Sequence, residues 1–411
     1  MNRLEEIKMK LVSYGQEHLL TFYNELNEQE QNELLNQIDS IDFELVSKLY
    51  NNRNSMANTD DVIEPLGYVD KLKLSNKEIE MYTEMGKRAI QNGELAFATL
   101  AGGQGTRLGH NGPKGTYMFG VNPDKSLFEI MSDSLKLAKR KYNVYIPWYI
   151  MTSRENNDDT INFFEANNYF GYPKDMVEFF KQEELPMLHE DGRMILESKS
   201  RIKLAADGHG GILGAMHKNN IIKDLENKGV KWVFIGGIDN VLLKMVDPLF
   251  MGITIYKGVK LAGKSIVKAN PEEKVGVFCK RNGRPSVVEY TEITSEMAYE
   301  SDSAGELLYG ESHILCNIFS IEALKQIGDE KLPYHAAFKK STYIDDAGKE
   351  IIPILPNSYK FETFIFDAFN KFEDMLIFRT LREEEFAPVK NKEGVDSPET
   401  ARRLYMEYWN M

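Results

Sequence analysis

Between Glu94 and Gly115 the chain reads E-L-A-F-A-T-L-A-G-G-Q-G-T-R-L-G-H-N-G-P-K-G, an apolar run followed by a glycine-rich loop that carries two cations. Leu95–Leu100 has strand length, and Gly102, Gly103, Gly105 and Gly109 then remove side-chain bulk where the chain must turn. Bare backbone can bring its N–H groups close to an anion, so such a loop suits phosphates and a base lying over the main chain. Arg107 and Lys114 add positive charge at the same place. Two familiar phosphate loops are excluded. The Walker pattern fails because Gly115, not Ser or Thr, follows Lys114, and the dinucleotide pattern fails because Leu108 stands where the third glycine belongs. A second candidate is Asp239, placed where the apolar run 231–236 gives out. A carboxylate at the end of a strand in an open α/β sheet can hold Mg²⁺ together with substrate phosphates. Taken alone, Asp239 suits an Asx turn closing the strand equally well.

The run from Leu100 through Ala101, Gly102, Gly103, Gly105, Thr106, Arg107, Leu108 and Gly109 to Pro113-Lys114-Gly115 resembles the signature of the UDP-sugar pyrophosphorylases. The likeness is closest to the UDP-N-acetylhexosamine pyrophosphorylases. Further segments match that family in the same order. Phe179-Phe180-Lys181-Gln182 with Leu185-Pro186 resembles F-F-x-Q-x-x-x-P, whose Gln reads the uracil edge. Asp239-Asn240 followed by Asp247-Pro248 resembles its D-N and D-P pair, Glu289 stands in its V-V-E-Y, Phe364 and Phe366 with Asp367 in its F-x-F-D, and Lys390 in its P-L-K-N. The resemblance implies UTP and a sugar-1-phosphate as substrates, UDP-sugar and pyrophosphate as products, and Mg²⁺ as cofactor. It implies that Arg107, Lys114 and Lys390 act on the phosphates. Nucleotide contacts would come from Leu100, Ala101, Gly102, Gly103, Gly105, Thr106, Gln182, Gly208 and Asp239. Sugar contacts would come from His209, Asn240, Glu289, His313 and the Phe364/Phe366 wall, and metal ligation from Asp239 with Asp367 as a second carboxylate. Two positions depart from the pattern: His209 replaces the Asn of D-G-N-G-G and His313 the Asn of G-N-I, both on the sugar side. N-acetylglucosamine-1-phosphate is the sugar expected first and glucose-1-phosphate second. A catalytically inactive nucleotide- or UDP-sugar-binding protein of the same fold is the alternative from another class.

These residues need elements to hold them. Apolar residues recur at helical spacing from Arg3 to about Leu49, and again over 75–91. The polar stretch 51–61 has no periodicity and reads as a loop. Ser126 with Glu129 forms the S-x-x-E start of a helix, and 143–151 and 231–236 are apolar runs typical of strands covered on both faces. Residues 156–168, 212–227 and 397–409 read as helices, 281–284 as a hairpin turn, and 313–320 and 375–379 as strands. The 362–372 stretch suits helix or strand–turn–helix. The alternation predicts an α/β fold: a doubly wound, mixed but mainly parallel sheet, which the resemblance makes a Rossmann-like nucleotidyltransferase. Three consecutive regions are expected, a helical layer over 1–90, a catalytic domain over 91–380 and a small C-terminal segment over 381–411.

Composition narrows the partners. Among 411 residues, 63 are acidic and 50 basic, a net charge of −13 that disfavours nucleic acid and anionic membranes, so any phosphate must be held by local cations. Only Cys279 and Cys316 occur, giving no disulfide framework and no C-x-x-C metal pattern. With a charged N-terminus and no apolar run of about 18 residues, the expectation is a cytoplasmic protein without signal peptide or membrane span.

Overall fold

The computed structural model describes residues 2–53, 61–328 and 330–411; most of the 51–61 stretch read as a loop lies outside them. The described chain forms two compact units. The smaller draws on residues 2–53, 183–211 and 332–364, the larger on 61–182, 212–331 and 365–411. This division cuts across the three consecutive regions expected, for a physical reason. Ile7, Leu11, Leu34, Leu35 and Ile38 of the N-terminal helices bury themselves with Leu188, Met194, Leu196, Ile202 and Phe361, which arrive much later in the chain. The helix Asn76–Gln91, expected in the N-terminal layer, belongs instead to the larger unit.

That larger unit is built on one eleven-stranded sheet. Trp232–Gly237 lies parallel to Leu95–Leu100, which lies parallel to Trp148–Thr152, and this in turn to Val177–Lys181. On the other side Leu261–Val267, Leu376–Arg379 and Val69–Asp70 are also parallel neighbours, and the long strand Glu311–Ser320 runs antiparallel between the two parallel sets. The sheet is therefore mixed and mainly parallel, as expected. Leu95–Leu100 is buried along its whole length, which a parallel strand covered on both faces requires. Residues 277–281 and 284–288 form the predicted hairpin, with Asn282 and Gly283 both at positive φ, as a two-residue turn demands.

Helices cover the sheet. Ser126 caps Leu127–Tyr142 by accepting the Glu129 N–H at 3.1 Å. Asp247 caps Pro248–Lys257, accepting from Leu249 and Phe250. Asn76–Gln91 crosses Pro248–Lys257 backbone against backbone: a Cβ on Gly86 would fall 1.9 Å from the Pro248 carbonyl oxygen, and one on Gly252 would fall 1.7 Å from that of Tyr82. Two expected elements are shorter than the sequence suggests. Pro147 and the left-handed Asn143 confine the apolar run 143–151 to a strand over Trp148–Thr152, and Asn220 at φ 58° splits 212–227 into Gly211–Lys218 and Ile221–Asn227.

In the smaller unit, helices Arg3–Tyr14, Glu28–Ser40 and Phe43–Asn51 pack with short antiparallel pairings. Among them are Leu204–Ala206 with Glu184–Pro186, and the three-stranded His335–Lys339, Ser358–Glu362 and Leu188–His189.

Candidate active site

In the larger unit the candidate residues gather where parallel strands end. Gly237 pairs with Leu100 across neighbouring strands, and the Ile238 N–H donates to the Leu100 carbonyl at 3.2 Å, so the glycine loop and Asp239 leave the same sheet edge side by side. The loop is internally tied. Gly105 N–H donates to Gly112, Lys114 N–H to Gly103, and His110 Nε2 meets Thr116 Oγ1 at 2.8 Å. Gly109, at φ 72°, ends the turn Thr106–Leu108, and Gly115 gives way to the Phe128 ring, 2.1 Å from where its Cβ would be. A Cβ on Gly102 would fall 2.7 Å from Gln182 Nε2, so the Gln182 amide lies over the backbone of the loop. Leu100 and Ala101 are buried beneath, whereas Gly103 and Thr106 are exposed on the loop.

Asp239 sits among cations. Lys114 Nζ lies 3.7 Å from its Oδ2. Burial works to raise the Asp239 carboxyl, but the Lys114 and Lys390 ammoniums outweigh it and hold the group below the usual carboxylate range. Lys390 is half-exposed, over the Phe386 ring and 3.7 Å from Asp396. Arg107 is exposed, and among the described residues no hydrogen bond or ion pair holds it. Among the described residues no three His, Cys, Asp or Glu side chains cluster as a ready metal cage.

Other expected residues fall differently. Asn240, expected on the sugar, is buried and occupied: Nδ2 donates to the Glu385 carbonyl at 2.6 Å, while Oδ1 accepts from Leu242 and Ala387. Its amide is spent on stitching the strand end to the segment that carries Lys390. Phe366, expected as part of an aromatic wall, is 5% exposed and edge-on to His313, which is also ringed by Phe278 and Phe369. Asn317 Nδ2 meets His313 Nε2 at 3.2 Å. Glu289 places its carboxylate against Gly276, where a Cβ would be 2.8 Å away, and Asp367 lies on the turn Ile365–Lys371.

Gly208, His209 and Phe364 belong to the smaller unit. Gly208 has φ 89° and no room for a Cβ beside the Thr363 carbonyl, and the Phe364 ring stacks on both His209 (5.3 Å) and His335 (4.7 Å). Asp207 is buried beside Gly211, and among the described residues its Oδ1 has no hydrogen-bond partner. Sequence reasoning missed Asn156. Fully buried, it donates to the Ala101 and Gly103 carbonyls at 2.9 and 3.3 Å and holds the glycine loop from below. Its signal was its place just past Thr152-Ser153, the end of a parallel strand.

Residues 42–395 match the family described as UTP–glucose-1-phosphate uridylyltransferase, a span that contains every candidate above. The chain belongs to this uridylyltransferase family. A Xenopus tropicalis relative named UDP-N-acetylhexosamine pyrophosphorylase-like protein 1 is 36% identical, over 95% of this chain and 81% of its own. The Saccharomyces cerevisiae UDP-N-acetylglucosamine pyrophosphorylase is also 36% identical, over 98% and 90%. Among solved structures, the Trypanosoma brucei UDP-N-acetylglucosamine pyrophosphorylase in complex with inhibitor superposes with a TM-score of 0.84 at 31% identity, covering 99% and 85%. The family match takes in residues of both units. No helix among the described residues is long and apolar enough to cross a membrane.

Proposed function

We propose that the protein is a UTP:sugar-1-phosphate uridylyltransferase, forming a UDP-sugar and pyrophosphate, with N-acetylglucosamine-1-phosphate as the favoured sugar and glucose-1-phosphate next. The observation that carries this is Asp239 flanked by Lys114 and Lys390 beside a glycine loop over which Gln182 lies. The near-full-length relatives named for N-acetylglucosamine support the sugar. An oxygen of the sugar phosphate, already anionic near neutral pH, attacks the α-phosphorus of UTP. The bond from that phosphorus to the α,β-bridging oxygen breaks, and pyrophosphate leaves with the electron pair, so no general base is needed. Catalysis is then positioning and charge neutralisation. Lys114 and Arg107 hold the triphosphate and the leaving pyrophosphate, Lys390 neutralises the transferring group, and Gln182 reads the uracil edge over Gly102. Leu100, Ala101, Gly103, Gly105 and Thr106 line the base and phosphates with backbone.

Sugar nucleotidyltransferases generally use a divalent cation, and an ionised carboxylate at a strand end suits Mg²⁺, which takes one or two protein oxygens and completes its shell with phosphates and water. Asp239 would hold it, with Asp367 as the second carboxylate, and the ion would neutralise phosphate charge. For Gly208, His209, Glu289, His313, Phe364 and Phe366 the proposal rests on the sequence resemblance. A cytoplasmic location fits two free, buried thiols. Pyrophosphate release from UTP, measured with N-acetylglucosamine-1-phosphate, glucose-1-phosphate and galactose-1-phosphate, tests the reading. Turnover highest with the first supports it; no release with any overturns it.

A further inference from the structure

Beneath the strand ends lies a group of charges that the chemistry above does not use. Lys264, on the central strand Leu261–Val267, has a side chain 0% exposed, yet it carries an ammonium 2.7 Å from Asp247 and 2.9 Å from Glu385. Glu385 is 2% exposed and takes both its oxygens to Lys264, at 2.9 and 3.0 Å, with Lys244 at 3.3 Å. Glu384 next to it is shared by Lys244 and Lys71. Three cations face three carboxylates, so the cluster is balanced. Burial opposes the Lys264 ammonium, and the adjacent Asp247 and Glu385 carboxylates more than offset it, so it stays charged.

A balanced buried cluster adds little stability over an apolar core of the same volume, but it accepts few geometries. Its position suggests what that geometry serves. Directly after Glu385 the chain pairs with the strand end at Asp239: Asn240 holds the Glu385 carbonyl and the Ala387 N–H, Val241 N–H donates to Ala387 at 3.2 Å, and Val389 N–H donates to the Asp239 carbonyl at 2.8 Å. The next residue is Lys390. Glu385 thus fixes the start, and Asn240 the register, of the segment that delivers Lys390 to the Asp239 carboxylate.

We infer that the Lys264–Glu385 pair, with Asn240, is a positioning device for Lys390, acting on catalysis through that one cation. The inference rests on the role proposed for Lys390. In its absence Lys390 would still be a cation near the site, but its ammonium would no longer be held where charge develops. The effect therefore belongs in kcat rather than in the KM for UTP.

The test is a double-mutant cycle on the full chain, with kcat and KM measured for pyrophosphate release. Glu385→Gln is expected to lower kcat about 10- to 100-fold with KM for UTP changed less than about threefold, and to have no further effect in a Lys390→Ala background. The charge-neutral pair Lys264→Met with Glu385→Met should restore the thermal midpoint toward that of wild type while kcat stays low. Recovery of kcat in that double variant, or equal losses from Glu385→Gln with and without Lys390, would overturn the inference and leave the role of Lys390 standing. A Lys390→Ala enzyme with wild-type kcat would instead overturn the role beneath it, and the inference with it.

Discussion

Replacing Lys114 by alanine removes the ammonium 3.7 Å from Asp239, and kcat/KM should fall by roughly two to three powers of ten, the scale of a lost preorganised charge in the transition state. Its thermal midpoint should hardly move; near-normal turnover would contradict the assignment. Asp239→Asn keeps the shape and removes the charge, so metal dependence should shift to higher Mg²⁺ concentrations, read from activity against free Mg²⁺ in an EDTA-buffered series. Asp207 carries a stability prediction. Burial first, and then the neighbouring Glu183, raise its carboxyl to about 7. An unfolded Asp titrates near 3.9, so between about pH 4 and 7 the folded state keeps a proton that the unfolded state has released. Stability must fall as pH rises through that window, by up to about 4 kcal/mol for this one group, and stay low above it. Asp207→Asn should remove that slope, gaining on wild type at pH 8 relative to pH 4.5 in urea midpoints; parallel curves would rule it out. How far such residues were legible differs from case to case. Lys114 and Asp239 follow from glycine spacing and a strand end, because adjacent parallel strands deliver their loops to one edge. Asn240 could not be placed, since its amide is consumed by partners at 385 and 387 that sequence spacing does not reveal.

At the level of elements, the crossing of Asn76–Gln91 over Pro248–Lys257 is the contact least able to adapt. Gly252→Ala puts a methyl group 1.7 Å from the Tyr82 carbonyl oxygen, backbone that cannot rotate away, and the helices must separate. A loss of about 3 kcal/mol or more, the upper end of overpacking, is expected in chemical denaturation; an unchanged midpoint would mean that the helices part at no cost. Gly86 falls in the helix expected over 75–91 and Gly252 in a stretch for which no element is expected, and nothing in their own windows marks the crossing. Strands were easier. The runs at 95–100 and 231–236 are apolar throughout because both faces are covered, and the structure shifts the second by a single residue. Helix ends were harder where left-handed residues intervene: Asn220, at φ 58°, breaks the single helix expected over 212–227.

Across the whole molecule, the chain passes between its two units five times. No fragment that ends before Phe361 therefore contains the whole core of the smaller unit. Residues 1–53 carry three helices but lack Leu188, Met194, Leu196, Ile202 and Phe361, and the isolated peptide should show weak circular dichroism at 222 nm and no cooperative melt. A sigmoidal transition would disprove that dependence. The N-terminal helices wait for Phe361, about 310 residues behind them. At about 5–20 residues per second, a ribosome takes roughly 15–60 s to supply it. For that interval the emerging chain presents the apolar stripe of Ile7, Leu11, Leu34 and Ile38 without its partners, so maturation of this unit is timed by elongation, and the nascent chain is a natural client for factors that shield apolar segments at the exit tunnel.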